Sequence, residues 1–265
     1  MRLAICQLEI KFEDKPYNLS KIHTMVKQAS EQETELILLP EMSLTGFSVN
    51  TKVTQEFEHE TLDSMKQLAR DFQVAIGFGW VKGGAVKAEN HYTVVDASAA
   101  IISDYIKIHP FSYGNENQYF QGGDSISFFT LNQVRFCTFI CYDLRFPEIF
   151  QLASSKASII IVAANWPAER KEHWQCLLRA RAIENQCYII GVNCVGWQKS
   201  LYYSGDSSII NPNGDMLHIS KEFEALQLFE IENDVGKYRN RFPTQNDRKT
   251  ELYKQLSETI CSHTI

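Results

Sequence analysis

Residues 134–148 read VRFCTFICYDLRFPE, and the rest of the chain is best interpreted around them. The run from Val134 to Ile140 is apolar except at two positions, which predicts a buried strand. The strand ends at Cys141, and the apolar segment Ile149 to Ala153 beyond it predicts a helix. A cysteine at this junction is well placed for a nucleophile, because a helix N-terminus lowers a thiol pKa and its free N–H groups bind an oxyanion. The alternative is a buried cysteine that packs as a small apolar residue.

The composition is that of an ordinary globular protein. The chain has 265 residues, of which 44% are apolar and 22% charged, which suits one large domain or two small ones. The net charge is −6 and no run of lysine or arginine occurs, which argues against nucleic acid as a partner. No apolar run reaches the length of a membrane span, so no membrane partner is predicted, and the stretch Arg2 to Leu8 predicts a first strand rather than a signal peptide.

The cysteines indicate reduced thiols and no metal site. None forms a CxxC pair or a cluster with histidine at metal-ligand spacing. Most lie in apolar, strand-like runs, which predicts a cytoplasmic protein. The seven cysteines are Cys6, Cys137, Cys141, Cys176, Cys187, Cys194 and Cys261.

Strand-like and helix-like segments alternate along the chain. Hairpin signals such as Gly83-Gly84 predict a mixed sheet rather than an all-parallel one. No linker, repeat or low-complexity segment occurs, so we expect a single α/β domain over residues 1–265 with a polar C-terminal extension from about Asp234. The main predicted strands are 2–8, 36–39, 74–81, 92–95, 99–106, 126–131, 134–140, 158–163, 187–193, 207–211, 216–219 and 226–231, and the main predicted helices are 18–29, 61–72 and 168–185.

Three other charged residues are candidates for chemistry, two of them because they lie within or at the end of an apolar run, where α/β proteins often build sites. Glu41 follows a short strand closed by Pro40 and is suited to be a general base, with an exposed loop glutamate as the alternative. Lys107 lies inside an apolar segment, so its ammonium group must either reach solvent or pair with a carboxylate. Glu116 lies in a polar loop and carries no signal by itself.

Three motifs together resemble the nitrilase superfamily of carbon–nitrogen hydrolases. They are Leu39-Pro40-Glu41, Lys107-Ile108-His109 and the stretch Ile140 to Glu148, of which only the last is specific alone. The chain is most similar to the omega-amidase branch, which deaminates 2-oxoglutaramate and related ω-amides of 2-oxo acids. The resemblance implies a four-layer α-β-β-α sandwich with two packed mixed sheets. It covers nearly the whole chain, since four further segments also match: ANWP at 164–167, HW at 173–174, RARAIEN at 179–185 and NPNGD at 211–215.

The resemblance implies roles for five residues. Cys141 would be the nucleophile, Glu41 the general base and Lys107 the cation that stabilises the oxyanion. Glu116 matches the supporting glutamate of the family, and the backbone N–H of Tyr142 would be a second oxyanion donor. Amide hydrolysis through a cysteine thioester requires neither a metal nor an organic cofactor, so none is predicted.

Substrate recognition is predicted close to the nucleophile. An ω-amide of a 2-oxo dicarboxylate carries a carboxylate that requires a cationic partner, and Arg145 is near Cys141 in sequence. An ion pair with Asp143 or Glu148 is an equally good interpretation of Arg145.

Two residues at the end of the next predicted strand, Asn165 and Trp166, are expected to line the same pocket. Plain packing is the alternative for Trp166, because buried tryptophans are common. Arg170, just beyond, is a second candidate partner for the carboxylate.

The predicted helix 168–185 carries an apolar stripe that is mostly core. The family pairs through helices in this region, so the resemblance implies a homodimer. The tail after Asp234 is aromatic and basic, and it resembles the family segment that packs along the body or the partner; a frayed end is the alternative. The stripe consists of Trp174, Leu177, Leu178, Ala182 and Ile183.

Other functions are compatible with the same motifs. The chain could hydrolyse another non-peptide C–N bond, as in an N-carbamoyl compound, or a nitrile. It could also be a non-catalytic relative that binds a ligand, although intact residues at positions 41, 107 and 141 argue against lost turnover. A small-molecule amide is the predicted partner in the first of these interpretations.

Overall fold

The computed structural model of the chain describes residues 1–220, 222–232 and 234–262. Two mixed sheets pack against each other through a shared apolar core, and helices cover the outer face of each sheet. This arrangement confirms the predicted α-β-β-α sandwich. Six of the cysteines are free thiols, while the side chain of Cys261 lies outside the described part.

Fifteen strands are described, and most coincide with predicted apolar runs. In chain order they are β1 (Arg2–Gln7), β2 (Leu36–Leu38), β3 (Ala75–Lys82), β4 (Ala88–Val95), β5 (Ile101–Ile106), β6 (Phe120–Gln121), β7 (Phe128–Leu131), β8 (Val134–Ile140), β9 (Ile159–Ala164), β10 (Tyr188–Asn193), β11 (Val195–Gln198), β12 (Leu201–Ser204), β13 (Ser208–Ile210), β14 (Met216–Ile219) and β15 (Ala225–Glu230).

The first sheet has the strand order β15-β1-β2-β3-β4-β5, and β6 pairs with β4. Strands β1, β2 and β3 are parallel, because long helical segments connect them. Strands β4 and β5 are each antiparallel to their predecessor. Two reversals return β5 to the direction of β2, so both strands end at the same edge of the sheet.

The second sheet has the strand order β14-β13-β10-β9-β8-β7, with β8, β9 and β10 parallel at its centre. These central strands are fully or almost fully buried, which explains their continuous apolar sequences. Strands β11 and β12 form a separate two-stranded hairpin.

Eight α-helices complete the described fold. None of the helices in the described ranges is long and apolar enough to cross a membrane. Helices α1 and α3 pack on the first sheet, while α5 and α6 pack on the second. The helices are α1 (Lys15–Ser30), α2 (Thr51–Thr54), α3 (Glu60–Phe72), α4 (Glu116–Tyr119), α5 (Pro147–Ser154), α6 (Lys171–Asn185), α7 (Val235–Arg241) and α8 (Thr250–Ser262).

Local sequence explains where α1 begins and which face it buries. The carboxylate of Asp14 accepts a hydrogen bond from the backbone N–H of Tyr17 at 3.1 Å, which caps the helix N-terminus. Ile22, Val26 and Ala29 recur at helical spacing and are fully buried. The cap and the apolar stripe therefore both indicate a helix that begins after Asp14.

The structure differs from the sequence-based prediction in short elements. The predicted helix 168–185 divides into one 3₁₀ turn, Ala168–Arg170, and then α6. The hairpin of β11 and β12 was not predicted, because each strand has only four residues and lacks a long apolar run. Helices α7 and α8 were not predicted either, because the tail was interpreted as a polar extension.

The apolar stripe on α6 is divided between core and surface. Trp174, Leu178 and Ala182 are fully buried, whereas Ile183 is 49% exposed. The homodimer stays a prediction.

The C-terminal segment contacts the ends of α5 and α6. Arg239 donates hydrogen bonds to the carbonyls of Gln186, Ser154 and Ala157 at 3.0 to 3.2 Å. Arg248 donates to the carbonyl of Glu184 at 2.7 Å. The last carbonyls of a helix have no intrahelical partner, so these cations satisfy them and complement the helix dipole.

We predict that Phe139→Ala destabilises the protein by about 3–5 kcal/mol, because it removes a fully buried ring from the core. The ring of Phe139 lies 5.6 Å from that of Tyr105, on the other sheet, and 4.6 Å from that of Phe150, on α5. Urea denaturation should show the loss. Leu217→Ala, at a position 53% exposed, serves as the control and should change stability little.

Candidate active site

Three charged side chains meet at the edge of the sandwich where β2 and β5 end. The ammonium group of Lys107 lies 2.9 Å from Oε1 of Glu41 and 2.8 Å from Oε2 of Glu116. Glu41 and Glu116 are fully buried and Lys107 is 1% exposed. The structure thus brings together three of the residues selected from the sequence, two carboxylates sharing one cation.

Neutral donors complete the hydrogen bonding of both carboxylates. The amide of Asn90 donates to Oε1 of Glu41 at 2.8 Å and to Oε1 of Glu116 at 3.0 Å. The backbone N–H of Asn165 donates to Oε2 of Glu41 at 2.9 Å, and that of Phe111 donates to Oε2 of Glu116 at 2.6 Å. Every carboxylate oxygen therefore has at least two partners or one backbone donor, as buried charges require.

The carboxylates decide the charge of Lys107. Burial alone would lower the pKa of its ammonium group, but the negative charges of Glu116 and Glu41 outweigh burial and raise that pKa well above the ordinary value. Lys107 is therefore a fixed positive charge at neutral pH, held between the carboxyl groups of Glu41 and Glu116.

A glycine on β3 lets the Glu41 turn lie close to the sheet. A Cβ at Gly79 would lie 2.8 Å from the Cα of Glu41 and would clash with the backbone nitrogen of Met42. Ser43 fixes the same approach, since its N–H donates to the carbonyl of Gly79 at 2.9 Å and its hydroxyl accepts from the N–H of Gly79 at 3.0 Å. The turn that carries Glu41 is thus held by backbone contacts.

Cys141 follows β8 directly and opens a 3₁₀ turn, Cys141–Arg145. Its φ of 45° is in the left-handed region, which is unusual for a residue with a side chain and indicates a constrained backbone. The thiol donates to the carbonyl of Asn165 at 3.8 Å. Cys141 thereby lies beside the residue that also binds Glu41.

The expectation of a lowered thiol pKa is wrong. Burial raises the pKa of Cys141 well above its ordinary value, the charge of Glu41 raises it further, and Lys107 lowers it only in part. The first turn after Cys141 is 3₁₀ rather than α-helical, and α5 begins only at Pro147. The thiol is consequently neutral at rest, so a reaction at sulfur requires a base.

Asp143 connects the turn of Cys141 to the end of β5. Its fully buried carboxylate accepts hydrogen bonds from the hydroxyl of Tyr105 at 2.8 Å, the ring of His109 at 2.8 Å and the backbone N–H of Ile140 at 3.0 Å. The sequence analysis did not predict the contacts of Asp143 with Tyr105 and His109, nor those of Asn90, because such contacts have no signal in local sequence patterns.

A cavity of about 400 Å³ opens over the cluster. Its wall includes all the residues predicted to touch the substrate, together with residues that the sequence analysis did not select, such as Phe47 and Tyr203. Glu41 and Glu116 are fully buried and are bound to Lys107, which is part of the wall. The predicted residues that line it are Lys107, Cys141, Tyr142, Arg145, Asn165, Trp166 and Arg170.

Arg145 faces this cavity without a carboxylate partner among the described residues. Its guanidinium group lies 4.8 Å from the ring centre of Trp166 and 3.2 Å from Nδ1 of His173. The predicted alternative, an ion pair of Arg145 with Asp143 or Glu148, does not occur among the described residues, and the carboxylate of Asp143 is bound by the groups named above. Burial lowers the pKa of Arg145, and the charge of Arg170, also on the wall, lowers it further.

Nothing in the described ranges gathers three or more His, Cys, Asp or Glu side chains in a geometry that could hold a metal ion.

Comparison with known proteins finds similar sequences and a similar solved structure over nearly the whole chain. Residues 2–240 match the family model described as carbon-nitrogen hydrolase. A Staphylococcus aureus protein named "Hydrolase in agr operon" is 32% identical, covering 96% of this chain and 100% of its own. The 2-oxoglutaramate amidase of Bacillus subtilis is 30% identical, covering 95% of this chain and 98% of its own. The solved structure of a CN-hydrolase superfamily protein from Xanthomonas campestris, with an arsenic adduct in its active site, has a TM-score of 0.88 at 27% identity and covers 94% of this chain and 97% of its own.

We predict that Cys141 reacts slowly with iodoacetamide at neutral pH and that its rate continues to rise above the ordinary thiol pKa of about 8.5. Glu41→Gln removes a charge that raises the pKa and leaves Lys107, which lowers it, so the profile should shift to lower pH. Peptide mass spectrometry measures the rate at each cysteine. Exposed Cys176 is the internal control, and an unshifted profile in Glu41→Gln would contradict the prediction.

Proposed function

Since this chain belongs to the carbon–nitrogen hydrolase family and cleaves C–N bonds other than peptide bonds, we propose that its substrate is an ω-amide of a 2-oxo dicarboxylic acid, such as 2-oxoglutaramate. The observation that carries the proposal is the position of the Cys141 thiol. It lies at the cavity wall beside the buried cluster of Lys107, Glu41 and Glu116. A nucleophile, a proton acceptor and a fixed cation are the groups that amide hydrolysis requires.

In the first half of the proposed reaction, the sulfur of Cys141 attacks the amide carbon while Glu41 accepts the thiol proton. The raised pKa of the thiol makes such a base necessary. Lys107 and the backbone N–H of Tyr142 bind the oxyanion that develops. Glu41 then returns the proton to the amide nitrogen, and the C–N bond breaks. Ammonia departs, and a thioester remains on Cys141.

In the second half, Glu41 takes a proton from water, which attacks the thioester carbon. The oxyanion is bound by the same two donors, and the proton passes to the departing sulfur. The acid product and the free thiol result, so one residue serves as base and acid in both halves.

Glu116 supports this cycle by its charge. Lys107 is bound to both glutamates at once, at 2.9 and 2.8 Å, so it keeps one anionic partner when Glu41 is protonated. Without Glu116, protonation of Glu41 would leave a buried ammonium group without a counter-charge, which is costly.

Arg145 supports the choice of an anionic substrate. A guanidinium group on a cavity wall, stacked on Trp166 and next to Arg170 rather than a carboxylate, is suited to bind an anion. Its place on the same cavity wall as Cys141 fits a molecule with an amide at one end and a carboxylate at the other. A 2-oxoglutaramate has this form, and a relative of the chain is named for it.

Hydrolysis of another C–N bond remains the second candidate, because the charged cluster does not depend on the remainder of the substrate. Side-by-side assays of 2-oxoglutaramate, glutamine, N-carbamoyl-β-alanine and a simple nitrile distinguish the possibilities. We expect ammonia release to be fastest with 2-oxoglutaramate. Faster turnover of glutamine would overturn the proposed substrate.

We predict that Cys141→Ala lowers ammonia release from 2-oxoglutaramate by a factor of about 10⁴ or more, because no other group forms the thioester. Cys176→Ala, at an exposed cysteine, should retain wild-type activity and controls for cysteine loss. Circular dichroism should show an intact fold in both variants. Cys141→Ala activity near wild type would disprove the mechanism.

We predict that Arg145→Met raises KM for 2-oxoglutaramate about 10- to 100-fold, since one charge-assisted contact with the carboxylate is lost. KM for a neutral amide such as butyramide should hardly change, so the ratio of the two isolates the carboxylate contact. Arg135→Met, at an exposed position on β8, is the matched control. Equal effects on both amides would remove Arg145 from carboxylate recognition.

A further inference from the structure

The hydroxyl of Tyr203 has no partner in the part of the chain that the structure describes. Tyr203 lies on β12, and its ring belongs to the apolar cluster beneath the first sheet. The residue is 2% exposed and lines the main cavity. It also lines an adjoining cavity of about 220 Å³, so it stands where the two cavities meet.

The hydroxyls of the other buried tyrosines each have a hydrogen-bond partner in the described part of the protein, unlike that of Tyr203. Tyr92 donates to the carbonyl of Leu39 at 3.0 Å, Tyr105 to Asp143 at 2.8 Å, and Tyr188 to Asp234 at 2.8 Å. Buried tyrosine hydroxyls normally find such partners, because an unpaired polar group costs free energy. A phenol that is held rigidly by its ring and lines a cavity without a protein partner is suited to a partner supplied by a ligand.

The surroundings of Tyr203 make the hydroxyl a neutral donor. Burial raises its pKa far above the ordinary value, the thiols of Cys194 and Cys141 and the carboxylate of Glu41 raise it further, and Arg170 lowers it slightly. The phenol therefore keeps its proton throughout the reaction. It lies within electrostatic reach of the nucleophile Cys141 and of Arg170, both on the same cavity wall.

We propose that the hydroxyl of Tyr203 donates a hydrogen bond to the 2-oxo group of the substrate. This inference rests on the proposed function, in which Cys141 receives the amide and Arg145 the carboxylate. The ketone oxygen lies next to the carboxylate along such a chain and accepts a hydrogen bond from a neutral donor. An ammonium group at the same carbon, as in glutamine, would instead lie beside two arginines, so the site selects 2-oxo over 2-amino substrates.

The test compares Tyr203→Phe with wild type on 2-oxoglutaramate and on glutaramate, the same five-carbon ω-amide without the ketone. We expect kcat/KM for 2-oxoglutaramate to fall about tenfold, the effect of losing one neutral hydrogen bond, and kcat/KM for glutaramate to stay within about twofold. The melting temperature should not fall, because the hydroxyl has no protein partner. Tyr202→Phe, on the neighbouring residue that packs against Trp197, is the matched control and should leave both substrates unaffected.

Two results would overturn the inference while the proposed function stands. They are an equal loss on both substrates, which would assign Tyr203 to the shared chemistry, and no loss on either. Failure of the proposed function itself has a different signature, because wild type would then release no ammonia from 2-oxoglutaramate. That outcome would overturn the role of Tyr203 with it.

Discussion

The buried contact of Lys107 with Glu41 and Glu116 is the interaction on which the site depends. The three charged groups lie at the ends of two strands and in the following loop, and burial deprives them of hydration. Only their mutual attraction and the surrounding hydrogen-bond donors compensate for the lost hydration free energy. Removing one partner of a buried pair typically costs about 3–5 kcal/mol. The sheet edge is consequently held in one arrangement, because any displacement of a strand end would expose an unpaired charge.

The same cluster also determines how the thiol behaves. Burial and the charge of Glu41 raise the pKa of the Cys141 thiol and so disfavour a resting thiolate, which lowers its reactivity toward electrophilic reagents. Activation is thereby coupled to the proposed proton transfer to Glu41. A cysteine whose pKa is lowered by a helix N-terminus would carry more thiolate before a substrate binds, so the two arrangements differ in when the nucleophile is formed.

The sequence predicted what depends on local pattern. Apolar runs identified β2, β5 and β8, and a charge or cysteine at each end gave Glu41, Lys107 and Cys141. Contacts set by strand register could not be predicted in this way, and Asn90 in the middle of β4 is an example. The direction of the thiol pKa was predicted wrongly, because it depends on burial and on a carboxylate about 100 positions earlier in the chain. Tyr203 escaped notice because its four-residue strand has no apolar run.

The hydrogen bonds that Arg239 and Arg248 donate to the region after Cys141 can form only late in protein synthesis. Helix α5 follows the turn of Cys141, and the arginine that binds its last carbonyl, that of Ser154, comes 85 residues later. During translation the ribosome releases that arginine long after α5 has emerged. The C-terminal end of α5 therefore lacks these hydrogen bonds in the nascent chain, and the region around the thiol reaches its final hydrogen bonding only after the late residues have folded back onto it.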